Sequence, residues 1–228
     1  MPRNTTTLNQ TRSRRRFLKQ STILAAAATP ALSLVRSAHA QGSDVIRVGM
    51  VGCGGRCTGA AVNAMNADPG VRLVAMTDLF ADRVEGKRIA LQKQRPEQVD
   101  VDDDHCFSGL DGYKKVIDCV DVVLIACAAK FHPMYLKAGI DAGKHVFVEK
   151  PHAIDPLGIQ VVNEATALAK QKNLGILSGL QSRFHPGYRE TMQRVLDGQI
   201  GDIVSFEENF VRGPYGNTGR PQGVRELE

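Results

Sequence analysis

From residue 45 to residue 180 the chain alternates short unbroken apolar runs with longer stretches whose apolar residues recur at helical spacing. Residues 45–51, 71–77, 105–107, 122–126, 145–148 and 175–180 read as strands. Residues 56–67, 81–93, 112–119, 132–142 and 156–172 read as helices, with the polar stretch 94–105 as a loop. Strands that alternate with helices of this length argue for βαβ units in a parallel sheet. Their continuous apolar character fits strands covered on both faces. The expected class is therefore α/β, a doubly wound parallel sheet. The pattern changes at Arg183. Residues 185–197 read as a helix, 202–211 as a longer strand, and 212–228, rich in Gly, Pro and charge, as a loop.

Composition adds limits rather than detail. With 43% hydrophobic and 23% charged residues among 228, the chain is neither wholly disordered, nor collagen-like, nor a multi-span membrane protein. The formal charge of +5 is misleading, because seven of the 29 basic residues lie in the first 40 positions, which hold no acid. The remainder is slightly acidic, so neither a nucleic acid nor a membrane surface is implied as a partner. Within the basic segment, Ser13-Arg14-Arg15-Arg16-Phe17-Leu18-Lys19 resembles the twin-arginine (Tat) export pattern. A weakly apolar run over 23–35 follows, interrupted by Pro30, and Ala38-His39-Ala40 offers small residues for cleavage. The run falls short of the ~20 residues a membrane span requires. Residues 1–40 are thus expected to be a cleaved signal read by the Tat translocon, giving a periplasmic or other extracytoplasmic protein without a stable membrane anchor. Cys53, Cys57, Cys106, Cys119 and Cys127 are odd in number and lack zinc-site spacing, which leaves them as small apolar thiols and predicts no metal.

The first strand runs into Gly52-Cys53-Gly54-Gly55-Arg56-Cys57 and then a helix. Gly52 permits a tight turn, and Gly54 removes the Cβ that would hold backbone away from a pyrophosphate. The N–H groups at the helix start then receive the phosphates. Cys57 stands where a third glycine would let helix and strand approach. Asp78 ends the second strand at the distance where a carboxylate holds both ribose hydroxyls, which predicts NAD. Arg83, one turn into the next helix, is placed to meet the 2′-phosphate of NADP, so that cofactor stays open.

At 145–151 the charged pair Glu149-Lys150 follows a buried strand directly, on the rim where ligands of open α/β sheets bind. The glycine turn, Lys130-Phe131-His132-Pro133, Ala142-Gly143-Lys144-His145-Val146-Phe147-Val148-Glu149-Lys150-Pro151 and Gly179-Leu180-Gln181-Ser182-Arg183-Phe184-His185-Pro186 together resemble the Gfo/Idh/MocA oxidoreductases over about 45–212. The resemblance implies a Rossmann domain over 41–182, and over 183–228 the truncated start of an α+β domain for substrate and oligomer contacts. It implies hydride transfer to NAD(P) from secondary alcohols of sugars or cyclitols, in a homo-oligomer when full length. Lys150 would orient the reacting hydroxyl and move its proton. Glu149 would hold the cofactor side, His132 would cap the pocket near the nicotinamide ribose, and Arg183 and His185 would lie near the substrate. The Lys150–Pro151 bond would be cis. A further Asp/His motif would fall beyond Glu228. The alternatives are a glycosidase or lyase that retains its NAD, and a truncated product that binds a dinucleotide without turnover.

Overall fold

The computed structural model describes residues 45–211 and 213. The expected signal at 1–40 and almost all of the loop expected at 212–228 lie outside the described residues. Two compact units divide the chain between Gly179 and Leu180, three residues before the expected boundary.

The first unit is a six-stranded parallel sheet in the order β3-β2-β1-β4-β5-β6. Its strands are β1 (Ile46–Val51), β2 (Val71–Asp78), β3 (Cys106–Ser108), β4 (Val122–Ile125), β5 (His145–Val148) and β6 (Ile176–Ser178). The helices between them are α1 (Gly55–Ala67), α2 (Ala81–Gln94), α3 (Gly112–Cys119), α4 (His132–Asp141) and α5 (Pro156–Gln171). The order runs outward from β1 in both directions, so the β1/β4 boundary is the switch point where a crevice opens beyond the strands' carboxyl ends.

Two apolar clusters, one on each face, account for this layering. Val48, Met50, Leu73 and Met76 meet Cys57, Ala61 and Met65 of α1 and Val84 and Leu91 of α2. On the other face Ala75, Val123, Ile125 and Val146 meet Val116, Leu136, Ile140 and Ala165. Helix α1 buries Cys57, Ala60, Ala61 and Met65, the three- and four-residue spacing of one helical face. Helix α5 starts where Asp155 accepts from the Gly158 N–H at 2.6 Å and Pro156 occupies the first position.

In the second unit α6 (Gln181–Phe184) and α7 (Pro186–Leu196) form, but the strand expected at 202–211 does not. Val204 is 95% and Phe206 83% exposed, and no described strand pairs with that segment. A strand gains its hydrogen bonds only from a neighbour, so alternating apolar residues without one do not create it.

Candidate cofactor groove

At the end of β1 the chain must turn over β4 without touching it. Gly52 does so at φ 102°, a left-handed conformation suited to glycine, and a Cβ there would lie 3.0 Å from the Ala126 carbonyl oxygen. The Gly52 N–H donates to the Thr77 carbonyl at 2.8 Å. The Cys53 N–H donates to Asp78 Oδ2 at 2.7 Å, and Asp78 Oδ1 accepts from the Phe80 N–H at 3.3 Å. The predicted acid is thereby fixed against the predicted turn. Helix α1 opens at Gly54 with extended backbone, without a side-chain cap and without an acid in its first turn. Its first N–H groups keep their partial positive charge for an anion.

Gly52, Gly54, Thr77, Asp78, Phe80 and Ala126 line a cleft of about 310 Å³. Asp78, Phe80 and Arg83 form one wall, and Cys127, Phe131 and Tyr135 the other. The Arg83 guanidinium lies over the Phe80 ring, 4.8 Å from its centre. Phe131 stacks on Tyr135 at 5.7 Å, and Tyr113 packs on Tyr135 at 4.3 Å, which makes an apolar floor for a planar ring. Burial pushes the Tyr135 hydroxyl up to about 12, so it stays neutral. The cavity, the uncapped helix start and the fixed carboxylate fit the adenosine diphosphate part of a dinucleotide. Of the lining, the sequence pointed to Gly52, Gly54, Asp78 and Arg83. The aromatic wall was missed, although Phe131 and Tyr135 stand four apart at the opening of a helix.

Glu149 and Lys150 leave β5 in opposite surroundings. Glu149 is buried and pairs with Arg56, whose Nε and Nη2 reach Oε1 at 2.6 and 2.5 Å. Lys150 is exposed, and the bond from Lys150 to Pro151 is cis. Neither Arg56 nor Glu149 borders the cleft. Gly55 is the first residue of α1, with open space where a Cβ would stand.

His132 is 1% exposed and is not among the residues that line this cleft. Its Nδ1 faces the Pro151 carbonyl at 2.8 Å and its Nε2 the Cys127 carbonyl at 3.2 Å. At the first position of α4 its ring lies between these two oxygens, with an N–H to donate to one of them, and so touches the loops after both β4 and β5. His185 caps α7, its Nδ1 accepting from the Gly187 N–H at 3.2 Å, and Arg183 is exposed in α6. Both belong to the second unit. His152 donates to or accepts from Ser178 Oγ at 2.8 Å, a contact that nothing in the sequence signalled.

Residues 46–179 match the family described as "Oxidoreductase family, NAD-binding Rossmann fold" (Gfo/Idh/MocA). Among its relatives is dTDP-3,4-didehydro-2,6-dideoxy-alpha-D-glucose 3-reductase of Actinomadura kijaniata, 28% identical over 79% of this chain and 48% of that protein. Inositol 2-dehydrogenase of Salmonella paratyphi B is 30% identical over 68% of this chain and 43% of its own. Glycosyl hydrolase family 109 protein 1 of Bacteroides fragilis is 36% identical over 49% of this chain and 23% of its own. Scyllo-inositol dehydrogenase from Lactobacillus casei, solved with NAD(H) and scyllo-inositol, superposes with a TM-score of 0.57 at 27% identity, covering 70% of this chain and 43% of that one. A 3-ketoreductase variant from Actinomadura kijaniata, solved with NADP and TDP-benzene, does so at 0.53 and 25% identity, covering 70% and 44%. The chain spans about half the length of the reductase and dehydrogenase relatives it matches. With its parallel sheet, glycine turn and acid-lined cleft, the chain belongs to the Gfo/Idh/MocA family of NAD(P)-dependent oxidoreductases.

Proposed function

We propose that this chain carries the cofactor half of an exported oxidoreductase that acts on secondary alcohols of sugars or cyclitols. The observation that carries the reading is the contact of Asp78 with the Cys53 N–H at the mouth of the cleft. It supports the reading by holding a carboxylate, an acceptor suited to ribose hydroxyls, beside an uncapped helix start suited to phosphate. The bound nicotinamide supplies the hydride chemistry. The chain's residues bind and orient. Gly54, Gly55 and Arg56 offer backbone N–H groups to the pyrophosphate, and Phe131, Tyr113 and Tyr135 keep water from the ring of the adenosine. Lys150, at the carboxyl end of β5, is assigned to hold the substrate hydroxyl and take up its proton.

Asp78 would repel the 2′-phosphate of NADP while Arg83 would attract it. NAD is assigned as the preferred cofactor, because Asp78 is pinned by two N–H groups whereas Arg83 rests on an aromatic ring. The similarity to glycosyl hydrolase family 109 favours a second reading, in which NAD stays bound and a transient oxidation assists cleavage of a glycosidic bond. Export would suit a retained cofactor. The twin-arginine pattern supports Tat-dependent passage to the periplasm, with cleavage after Ala40, and N-terminal sequencing of exported protein tests it. A homo-oligomer of the complete protein is part of the same proposal.

The deciding experiment is titration with NADH and NADPH, then turnover on a panel of sugars and cyclitols. Tighter NADH binding is expected. Asp78→Asn should weaken NADH by roughly tenfold, the worth of one charge-assisted hydrogen bond. Tighter NADPH binding would refute the Asp78 assignment. In a complete enzyme Lys150→Ala should lower kcat by about 10²-fold or more; unchanged turnover would remove Lys150 from the chemistry. Product formation without NADH release would select the second reading.

A further inference from the structure

The Arg56–Glu149 pair has a geometry that cofactor contact does not explain. Glu149 is 4% exposed. Its Oε1 takes both Arg56 donors, while Oε2 faces the Lys150 backbone N–H at 3.3 Å. The Glu149 N–H is held by the Ile125 carbonyl at 2.9 Å. Gly179, whose N–H donates to the Val148 carbonyl at 2.9 Å, lies so close that a Cβ on it would overlap all three atoms of the carboxylate. One buried group therefore joins the start of α1, the end of β5 and the end of β6. Arg56 cannot leave it cheaply for a phosphate, because a buried carboxylate without its partner is strongly unfavourable.

We propose that the Arg56–Glu149 pair, packed on Gly179, is a positioning device. It fixes the height of the Lys150 segment above the pyrophosphate turn, so that the lysine meets the nicotinamide end of a dinucleotide whose phosphates rest on the start of α1. The inference rests on the dinucleotide reading above. It adds Glu149 and Gly179 as residues that act through Lys150, and it makes Arg56 a strut whose side chain is not a phosphate ligand.

The test compares NADH with ADP-ribose, which keeps the adenosine and both phosphates but lacks the nicotinamide ring. Binding of each to the 228-residue chain is measured by calorimetry, for wild type and for Lys150→Ala, Glu149→Gln, Gly179→Ala and Arg56→Lys, with a thermal melt to confirm folding. Lys150→Ala sets the signature of a lost nicotinamide contact. Glu149→Gln and Gly179→Ala should reproduce it, raising the NADH Kd by about tenfold while ADP-ribose stays within about twofold, as a small misplacement of one group does. Arg56→Lys, which keeps the charge, should fall between these and wild type. Gly179→Ala alters no charge, so it separates position from electrostatics. Equal weakening of both ligands would overturn the proposal and leave the pair as mere support for the turn. Weakening of both by Arg56→Lys with none by Glu149→Gln would make Arg56 a phosphate ligand and overturn it too. A wild-type chain that binds neither ligand would instead refute the dinucleotide reading, and this inference with it.

Discussion

Two ion pairs close opposite ends of the sheet. At the foot, Arg47 meets Asp121 through three donors, Nη2 at 2.7 Å, Nε at 3.2 Å and the backbone N–H at 2.9 Å. Those side chains are 52% and 41% exposed. At the rim, Arg56 meets Glu149, and the side chains are 49% and 5% exposed. By contact count the foot pair is the better made, yet both of its charges keep their water. Such pairs contribute at most about 1 kcal/mol. The rim pair has one dry partner, and its worth lies in what happens when it is broken. The difference teaches that burial of the acceptor, not the number of contacts, decides which pair the fold depends on.

The sharpest way to break this comparison is to remove one partner at a time. Arg56→Gln strands Glu149 in the interior and should cost about 3–5 kcal/mol. Glu149→Gln leaves a half-exposed arginine that water can solvate, and should cost less than half as much. Urea denaturation of the two variants measures both. Equal losses would mean that Glu149 is not the dry partner, and the contrast between rim and foot would collapse.

The rim also gathers two buried thiols, Cys53 and Cys57, and a half-buried one, Cys127. Burial, with a smaller contribution from the Asp78 charge, pushes Cys53 up to about 12 from 9.0, and burial does the same to Cys127. Cys57 is pushed higher still, again by burial. Between pH 9 and about 12 the unfolded chain loses these protons while the folded chain keeps them. Stability therefore falls with rising pH, by about 1.4 kcal/mol per unit for each thiol at its steepest, and is unaffected by them below pH 9. Melting temperatures at pH 8 and pH 10 read this out. Cys57→Ala should flatten the decline, and an unchanged slope would mean that this thiol ionises inside the fold.

How much of this was legible in the sequence differs between rim and foot for a physical reason. The glycine turn, Asp78 and the strand that ends in Glu149-Lys150 are local signals. A turn needs Gly52, and a strand covered on both faces needs an unbroken apolar run, so residues 45–180 announced the sheet. The six strands came within a few residues of expectation, with β6 shorter than expected because it pairs with β5 over three residues only. What the sequence did not carry were side-chain contacts between distant partners. Arg56 and Glu149 lie 93 positions apart. The sequence marks each as polar and near the site, and suggests that both touch the cofactor rather than each other. The family resemblance assigned His132 to the pocket, and nothing local in the sequence told that its ring is buried between the Pro151 and Cys127 carbonyls. The strand expected at 202–211 rested on alternation alone, which states what a segment would bury and not whether a neighbour is there to bury it.

The smallest effect sharpens the comparison from the other end. Arg47 lowers the Asp121 carboxyl below its usual 3.8, chiefly by hydrogen bonding to it, against a smaller opposing effect of burial. A group whose folded value is depressed gives stability that is present above the unfolded value and lost as pH falls through the folded one. Arg47→Ala should therefore cost a few tenths to about 1 kcal/mol at pH 7, since both charges are partly hydrated. The cost should shrink toward zero as pH falls through the depressed folded value, where wild type and variant alike come to carry a protonated Asp121. It should shrink also with added salt, which screens exposed charges. The Arg56→Gln loss should resist salt, because the Glu149 carboxylate lies where ions do not reach. Measured side by side at 0.1 and 1 M salt, a foot pair that kept its full contribution would show that exposure does not separate the two ends of the sheet.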